Sequence, residues 1–284
     1  MFQFRTLAAV PALVFLMGGT AHAALTADQV WQSWKDAGAM AGLTVTAATE
    51  SNADGVLTLN GVSIAPEGAA NPFTISDMTL TENDDGTVTI EPGAAIGITA
   101  SEGANAAKVD LVHDGLVITA SEDAGALVYD YEAAKLDVTY DIATEGYPFD
   151  DSAPVPVVKN AGKVGFEALE GSYSDTPGGN RVFGLDLTAA KFLFDSTTDD
   201  PGMGMKTTSV SETADFTAGF DVTLPSTTPL AELQGPAGFR KALEEGFAIA
   251  LTFGQGAGTG SAKQESEFFP YEMTMASTGG EGSA

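Results

Sequence analysis

Cysteine is absent from this sequence. A secreted chain without it has no disulfide framework, so its stability must come from a buried core. A lipoprotein anchor, a cysteine protease and most zinc sites also lack the thiol they need. Histidine is nearly absent too: His22 lies in the first 23 residues, and His113 stands directly before an Asp-Gly turn. A single solvated turn histidine leaves a Ser-His-Asp triad without its usual parts. Basic residues are scarce, 12 against 39 acidic, for a formal net charge of −27. That sign opposes nucleic acid, which is bound by cations that displace counterions, and opposes docking on anionic lipid. It favours solubility through self-repulsion.

Catalytic motifs are missing as well. No G-x-S-x-G, S-x-x-K or P-loop occurs, and "GQGAGTG" follows the strand-like "FAIALTF" with no helix behind it. Acidic residues are so abundant that no carboxylate pair stands out. Asp84-Asp85, Asp150-Asp151 and Asp199-Asp200 could hold calcium only at the weak affinities of extracellular modules, and solvated loops explain them better. The sequence therefore nominates no catalytic, cofactor-binding or metal-binding residue and no cofactor.

What the chain does have begins with an export signal. "MFQFRTLAAVPALVFLMGGTAHA" carries one cation at Arg5, an apolar run from Leu7 to Met17, and the small-x-small triplet Ala21-His22-Ala23. Residues 1–23 read as a signal peptide cleaved after Ala23, because the run is shorter than the roughly 20 residues that span a bilayer. The expected location is the periplasm. Loss of Arg5 with the leader takes the charge from −27 to −28.

A helix should follow. Thr26 and Gln29 form a capping box, with Leu25 and Val30 as its hydrophobic staple. Val30, Trp34, Ala37 and Ala41 make an apolar stripe with Trp31 beside it, and Gly38 and Gly42 weaken and end the helix. Both tryptophans lie here, either sealing a sheet core or presenting an aromatic surface to a ligand.

Beyond Gly42 the period becomes two. Leu136, Val138, Tyr140 and Ile142 alternate with polar residues, as do Phe216 to Leu224, Leu127 to Tyr131, and Phe269 to Met275. One apolar and one polar face per strand predicts antiparallel sheet. Parity slips between Leu59 and Val62, and again between Leu187 and Phe192, predict bulges or bends and hence curvature. The fold class is mainly β: a curved antiparallel meander, open and groove-like or sandwich-like, with the N-terminal amphipathic helix.

"ESNADG", residues 50–55, comes nearest to a metal motif. A twelve-residue calcium loop from Glu50 would end on Gly61 where a bidentate Glu is required, and its flanks read as strands. Asp54-Gly55 is instead a hairpin turn. The device recurs at Gly86 and Gly115, which suggests a repeated hairpin module of about thirty residues.

Two regions interrupt the pattern. The Pro-rich segment 145–162 reads as a long crossing loop or a boundary within the β-rich domain 24–284. Thr228-Pro229 and Gly235-Pro236 each start a helix, predicting a short pair over 229–246.

The order of "VWQSWKDAG", "DGVLTLNGVSI", "DDGTVTIEP" and "AGFRKALEEGFAIALTFGQGAG" resembles the exported proteobacterial family catalogued as domain of unknown function 2125. The resemblance covers nearly the whole mature chain and implies export, but brings no activity and no functional residues. Members are often longer, which implies a truncated C-terminus after "TMASTGGEGSA" and an unpaired edge there. The functional expectation is a non-enzymatic envelope protein that binds or carries an apolar ligand such as a lipid on the concave face of its sheet. The alternatives are a structural or interaction protein with a filled core and, with less support, an outer-membrane barrel.

Overall fold

The computed structural model describes residues 24–66, 71–102, 104–146, 155–176, 180–225 and 235–283. The leader, the first helix expected near 229 and the middle of the Pro-rich segment lie outside the described residues.

Helix α1 (Ala27–Met40) starts where its capping box predicts: the Gln29 amide donates to Thr26 Oγ1 at 3.2 Å, and the Thr26 amide to Gln29 Oε1 at 2.9 Å. Gly42, at φ 72°, turns the chain out of it. Leu25 and Val30 are both buried, as a staple requires. The buried stripe differs from the expected one. It runs through Ala27, Val30, Trp31 and Gly38, with Ala41 exposed, because the close approach of Val45 demands a residue without a side chain at position 38.

Strands β1 (Leu43–Ala53), β2 (Val56–Pro66), β3 (Phe73–Glu82), β4 (Val88–Pro92), β5 (Ile96–Glu102), β6 (Asn105–Asp114) and β7 (Val117–Asp123) come first. They are followed by β8 (Ala126–Glu145), β9 (Val157–Thr176), β10 (Asn180–Asp200), β11 (Met205–Pro225), β12 (Ala248–Gln255), β13 (Gly258–Ser266), β14 (Tyr271–Ser277) and β15 (Gly280–Ser283). Helix α2 (Pro236–Glu244), started by Pro236, stands between β11 and β12.

All fifteen strands among the described residues belong to one sheet, and every pair is antiparallel. The pairing simplifies once collinear strands are joined. β4 and β5 both pair with β3, β6 and β7 both with β8, β12 and β13 both with β11, and β14 and β15 continue that pattern on β13 and β12. Four such unions reduce fifteen strands to eleven passes, each hydrogen-bonded to the pass before it. The fold is therefore an uninterrupted meander in sequence order.

Asp54 and Gly55, at φ 51° and 77°, close the β1–β2 hairpin, the turn that the Asp-Gly pair predicts. Gly86, at φ 86°, closes the longer β3–β4 connection. Gly115 does not close a hairpin. It sits between collinear β6 and β7, so the thirty-residue module ends after two copies. In the Pro-rich segment, β8 and β9 pair as far as Glu145 opposite Val157, so it joins neighbouring strands instead of crossing the sheet.

A crease runs across most of the passes. Gly61, Gly115, Ala168, Asp215 and Gly279 all have positive φ, from 49° to 98°. In β8 to β11 these positions align. Ala133 pairs with Leu169 and Lys135 with Glu167 on either side of the row, and Ala189 with Phe216 and Lys191 with Ala214. Register is kept across it while the facing parity reverses. Apolar residues three apart, such as Leu59 and Val62, or Phe166 and Leu169, thus reach the same face and pack in one cluster each. This is the physical basis of the parity slips in the sequence.

Candidate functional site

Helix α1 lies on one face of the sheet, and that face holds the core. Over β1 to β7 it is filled: Leu57, Leu59, Val62, Met78, Leu80, Val88 and Ile90 are all but inaccessible beneath Val30 and Trp31. A smaller cluster of Ala133, Leu169 and Ala189 lies at the crease. Rings continue it, with Phe192 stacked on Phe216 at 4.9 Å between centroids and Phe166 at 5.4 Å from Phe192.

At the edge of the first cluster the face opens. A cleft of about 350 Å³ separates the flank of α1 from the sheet, within the size range of small-ligand sites. Trp34, Ala37 and Gly38 of α1, with Ala41 just after it, form one wall, and Tyr129 of β8 and Tyr173 of β9 lie opposite. Tyr129 and Tyr173 are cross-strand partners with ring centroids 5.9 Å apart.

Hydrogen bonding fixes the Tyr129 end. Trp34 Nε1 donates to the Tyr129 hydroxyl at 3.1 Å, and Ser33 Oγ lies 3.0 Å from the same oxygen. Ser33 has one proton, given to the Val30 carbonyl at 2.7 Å, so the Tyr129 hydroxyl donates to Ser33. Burial pushes the Tyr129 pKa up, against the opposing pull of these two partners. The Tyr173 phenol is pushed up to about 12, first by burial and then by the nearby Asp175 carboxylate.

The polar end of the cleft is Asp175, which is buried and ion-paired with Arg181 of the next strand: Nε donates to Oδ1 at 2.6 Å, and Nη2 to Oδ2. Arg181 also stacks over Phe183, 5.1 Å from the ring centroid. A paired buried charge is what the cost of burying a lone carboxylate requires. The pair carries no net charge into the cleft.

Beyond the cleft no described element covers the same face. Register places Leu185, Phe220 and Leu251 in one row with Tyr173, and Leu187, Ala218 and Phe253 in the next. From the row of Arg181 and Leu224 to the row of Thr198 and Thr207, the described residues of this face from β8 to β15 include no charges except Asp175 and Arg181. The opposite face carries Asp130, Glu132, Asp137, Glu170, Asp186, Asp195, Glu212 and Asp221. Asp137 is pushed up by burial, but Lys163 and Lys135, at 2.9 and 3.2 Å, more than offset this and hold it below the usual carboxylate range.

The residues that drew attention in the sequence fall as follows. Trp31 is in the core and Trp34 at the cleft wall, so sealing and lining divide between them. Glu50 does not start a metal loop. The Trp31 indole and then the Lys35 ammonium, 3.0 Å away, hold its carboxyl below the ordinary value. His113, expected to be solvated, is half-buried at the crease, with Nε2 3.3 Å from the Gly93 carbonyl and Nδ1 accepting from the Leu116 amide. Tyr129, Tyr173, Asp175 and Arg181 were missed as a group, because strand register alone brings them together.

No family model matches the chain, and no curated protein or solved structure matches it either.

Proposed function

We propose that the chain is an exported, non-enzymatic envelope protein that carries an apolar, lipid-sized ligand on the helix-bearing face of its sheet. The observation that carries this reading is the continuity of the cleft with an uncovered apolar floor. Leu185 is 38% exposed, Phe220 39%, Leu251 47% and Phe253 58%, all on the face that α1 covers elsewhere. A monomeric soluble protein rarely leaves so much contiguous apolar surface in water without a function. The chemistry favours an uncharged, apolar body for the part of the guest that lies on the floor, since among the described residues the charges of this floor, Asp175 and Arg181, neutralise each other. His113 supports a non-enzymatic role, because its ring nitrogens are engaged with backbone groups. The export signal and the resemblance to the domain of unknown function 2125 family belong to this proposal.

A second reading, an interaction protein of the envelope, has one observation in its favour: among the described residues β14 pairs with β13 alone, and every residue of it is exposed. A barrel would need β1 to meet the β14–β15 pass, and among the described residues they do not pair. No described helix is long and apolar enough to cross a membrane.

The test is energy transfer from tryptophan to a dansyl-labelled undecanoic acid added to the mature chain. Saturable transfer, competed by unlabelled fatty acid and reduced in Phe220→Asp, is the expected result. Transfer that neither saturates nor responds to that substitution sinks the proposal.

A further inference from the structure

Turns at the end of a sheet are normally polar. The end opposite α2 departs from that rule in three neighbouring connections. Phe268 and Phe269, between β13 and β14, are 74% and 77% exposed, the most exposed of the large apolar side chains among the described residues. Met203, in the turn between β10 and β11, is 56% exposed, and Val155, just before β9, is 51% exposed.

Register puts these side chains on one rim. Met205 pairs with Ser266, which sets the β10–β11 turn beside the β13–β14 turn. Asp199 pairs with Lys159, and a Cβ built on Gly202 would lie 2.7 Å from Pro156, which sets the same turn against the entry to β9. The four apolar groups therefore project from adjacent connections at the same end of the sheet.

We propose that this rim docks the protein on a lipid surface. A planar lipid surface meets three projecting turns at once, and side chains this exposed have the most to gain by leaving water. The flanking charges select among surfaces. Asp199, Asp200, Glu267 and Glu272 stand beside the turns, with Lys159, Lys206 and Lys263, the last ion-paired to Glu265 at 2.6 Å, so the described acidic residues outnumber the basic ones. An anionic membrane is repelled by that balance and by the charge of the whole chain, so the surface is a zwitterionic one. Between the rim and the floor residues Leu187 and Phe253 the same face carries Ser196, Ser209, Thr198, Thr207 and Gln264, so the rim and the floor are separate surfaces. The docking itself does not require the floor to hold a ligand.

The experiment is flotation of the mature chain with phosphatidylcholine vesicles, compared with vesicles containing phosphatidylglycerol, at low and high salt. The protein should float with phosphatidylcholine, less well with phosphatidylglycerol at low salt, and without loss at high salt. Phe268→Ser/Phe269→Ser should lower the partition coefficient at least about ten-fold while leaving the fold intact, because both side chains are exposed. A Phe269→Trp variant should be quenched by brominated acyl chains. Absence of flotation, or equal flotation of the double variant, overturns the proposal. So does a wild-type dimer, seen by light scattering and lost in the double variant, without flotation, since the occupant is then a second copy. Failure here leaves the dansyl-acid result standing, and failure there leaves this one standing.

Discussion

Ala168 offers a substitution series in which two physical rules predict opposite orders. It sits in β9, its side chain is exposed, and its φ is 49°. Strand propensity, over a span of about 1 kcal/mol, ranks valine above alanine and alanine above glycine. A left-handed backbone ranks them the other way: a Cβ there costs about 1–2 kcal/mol, and a β-branched side chain more. Glycine relieves that strain but makes the unfolded chain more flexible, a loss of about 0.4–1 kcal/mol. Ala168→Gly should therefore stabilise by roughly 0.5 kcal/mol, and Ala168→Val destabilise by about 1–2 kcal/mol. Exposure keeps packing out of the comparison. Equilibrium urea unfolding, followed by far-UV circular dichroism with unchanged slope, reads the order directly. A valine variant at least as stable as the glycine variant would refute the crease as a backbone feature and leave the parity reversal unexplained.

Three further outcomes are expected. Tyr129→Phe removes the acceptor of the Trp34 indole N–H and should cost about 1–3 kcal/mol, with a shift in tryptophan emission that Tyr140→Phe does not produce. Tyr131 and Tyr173 both titrate at about 12, with burial the first cause in each, so part of the 295 nm absorbance rise should come well above pH 10 in the folded protein. A raised folded value means that the neutral phenols add stability below pH 10, which is lost as pH rises from the unfolded value near 10 toward 12. Asp137 is the opposite case. Its folded value lies below the usual 3.8, so its contribution is present above about pH 4 and disappears as pH falls through the folded value. Asp137→Asn should flatten that part of the acid unfolding curve.

Local signals in the sequence carried far. The capping box located α1, the Asp-Gly pairs at 54–55 and 85–86 located two hairpins, and the alternating stretch Leu136 to Ile142 lies within β8. The slips at Gly61 and near Ala190 were legible one strand at a time. That they align with Ala168 and Asp215 in one row was not, because register between strands is written in cross-strand packing and not along the chain. The same limit hid the cleft, since Tyr129 and Tyr173 are partners only through the β8–β9 pairing. His113 and Gly115 were misread because Asp-Gly before an apolar residue looks the same in a hairpin as in a bend between collinear strands. Phe269 counted in the sequence as the first member of an alternating strand, whereas β14 begins at Tyr271 and leaves Phe269 on the turn.

The most direct test of the carrier account is native mass spectrometry, with solvent extraction, of chain 24–284 prepared from a periplasmic fraction without detergent. The account predicts a bound mass of lipid size in stoichiometric amount, lost in a Phe220→Asp variant that still folds. A folded wild-type protein of bare polypeptide mass, with nothing apolar in the extract, would contradict it.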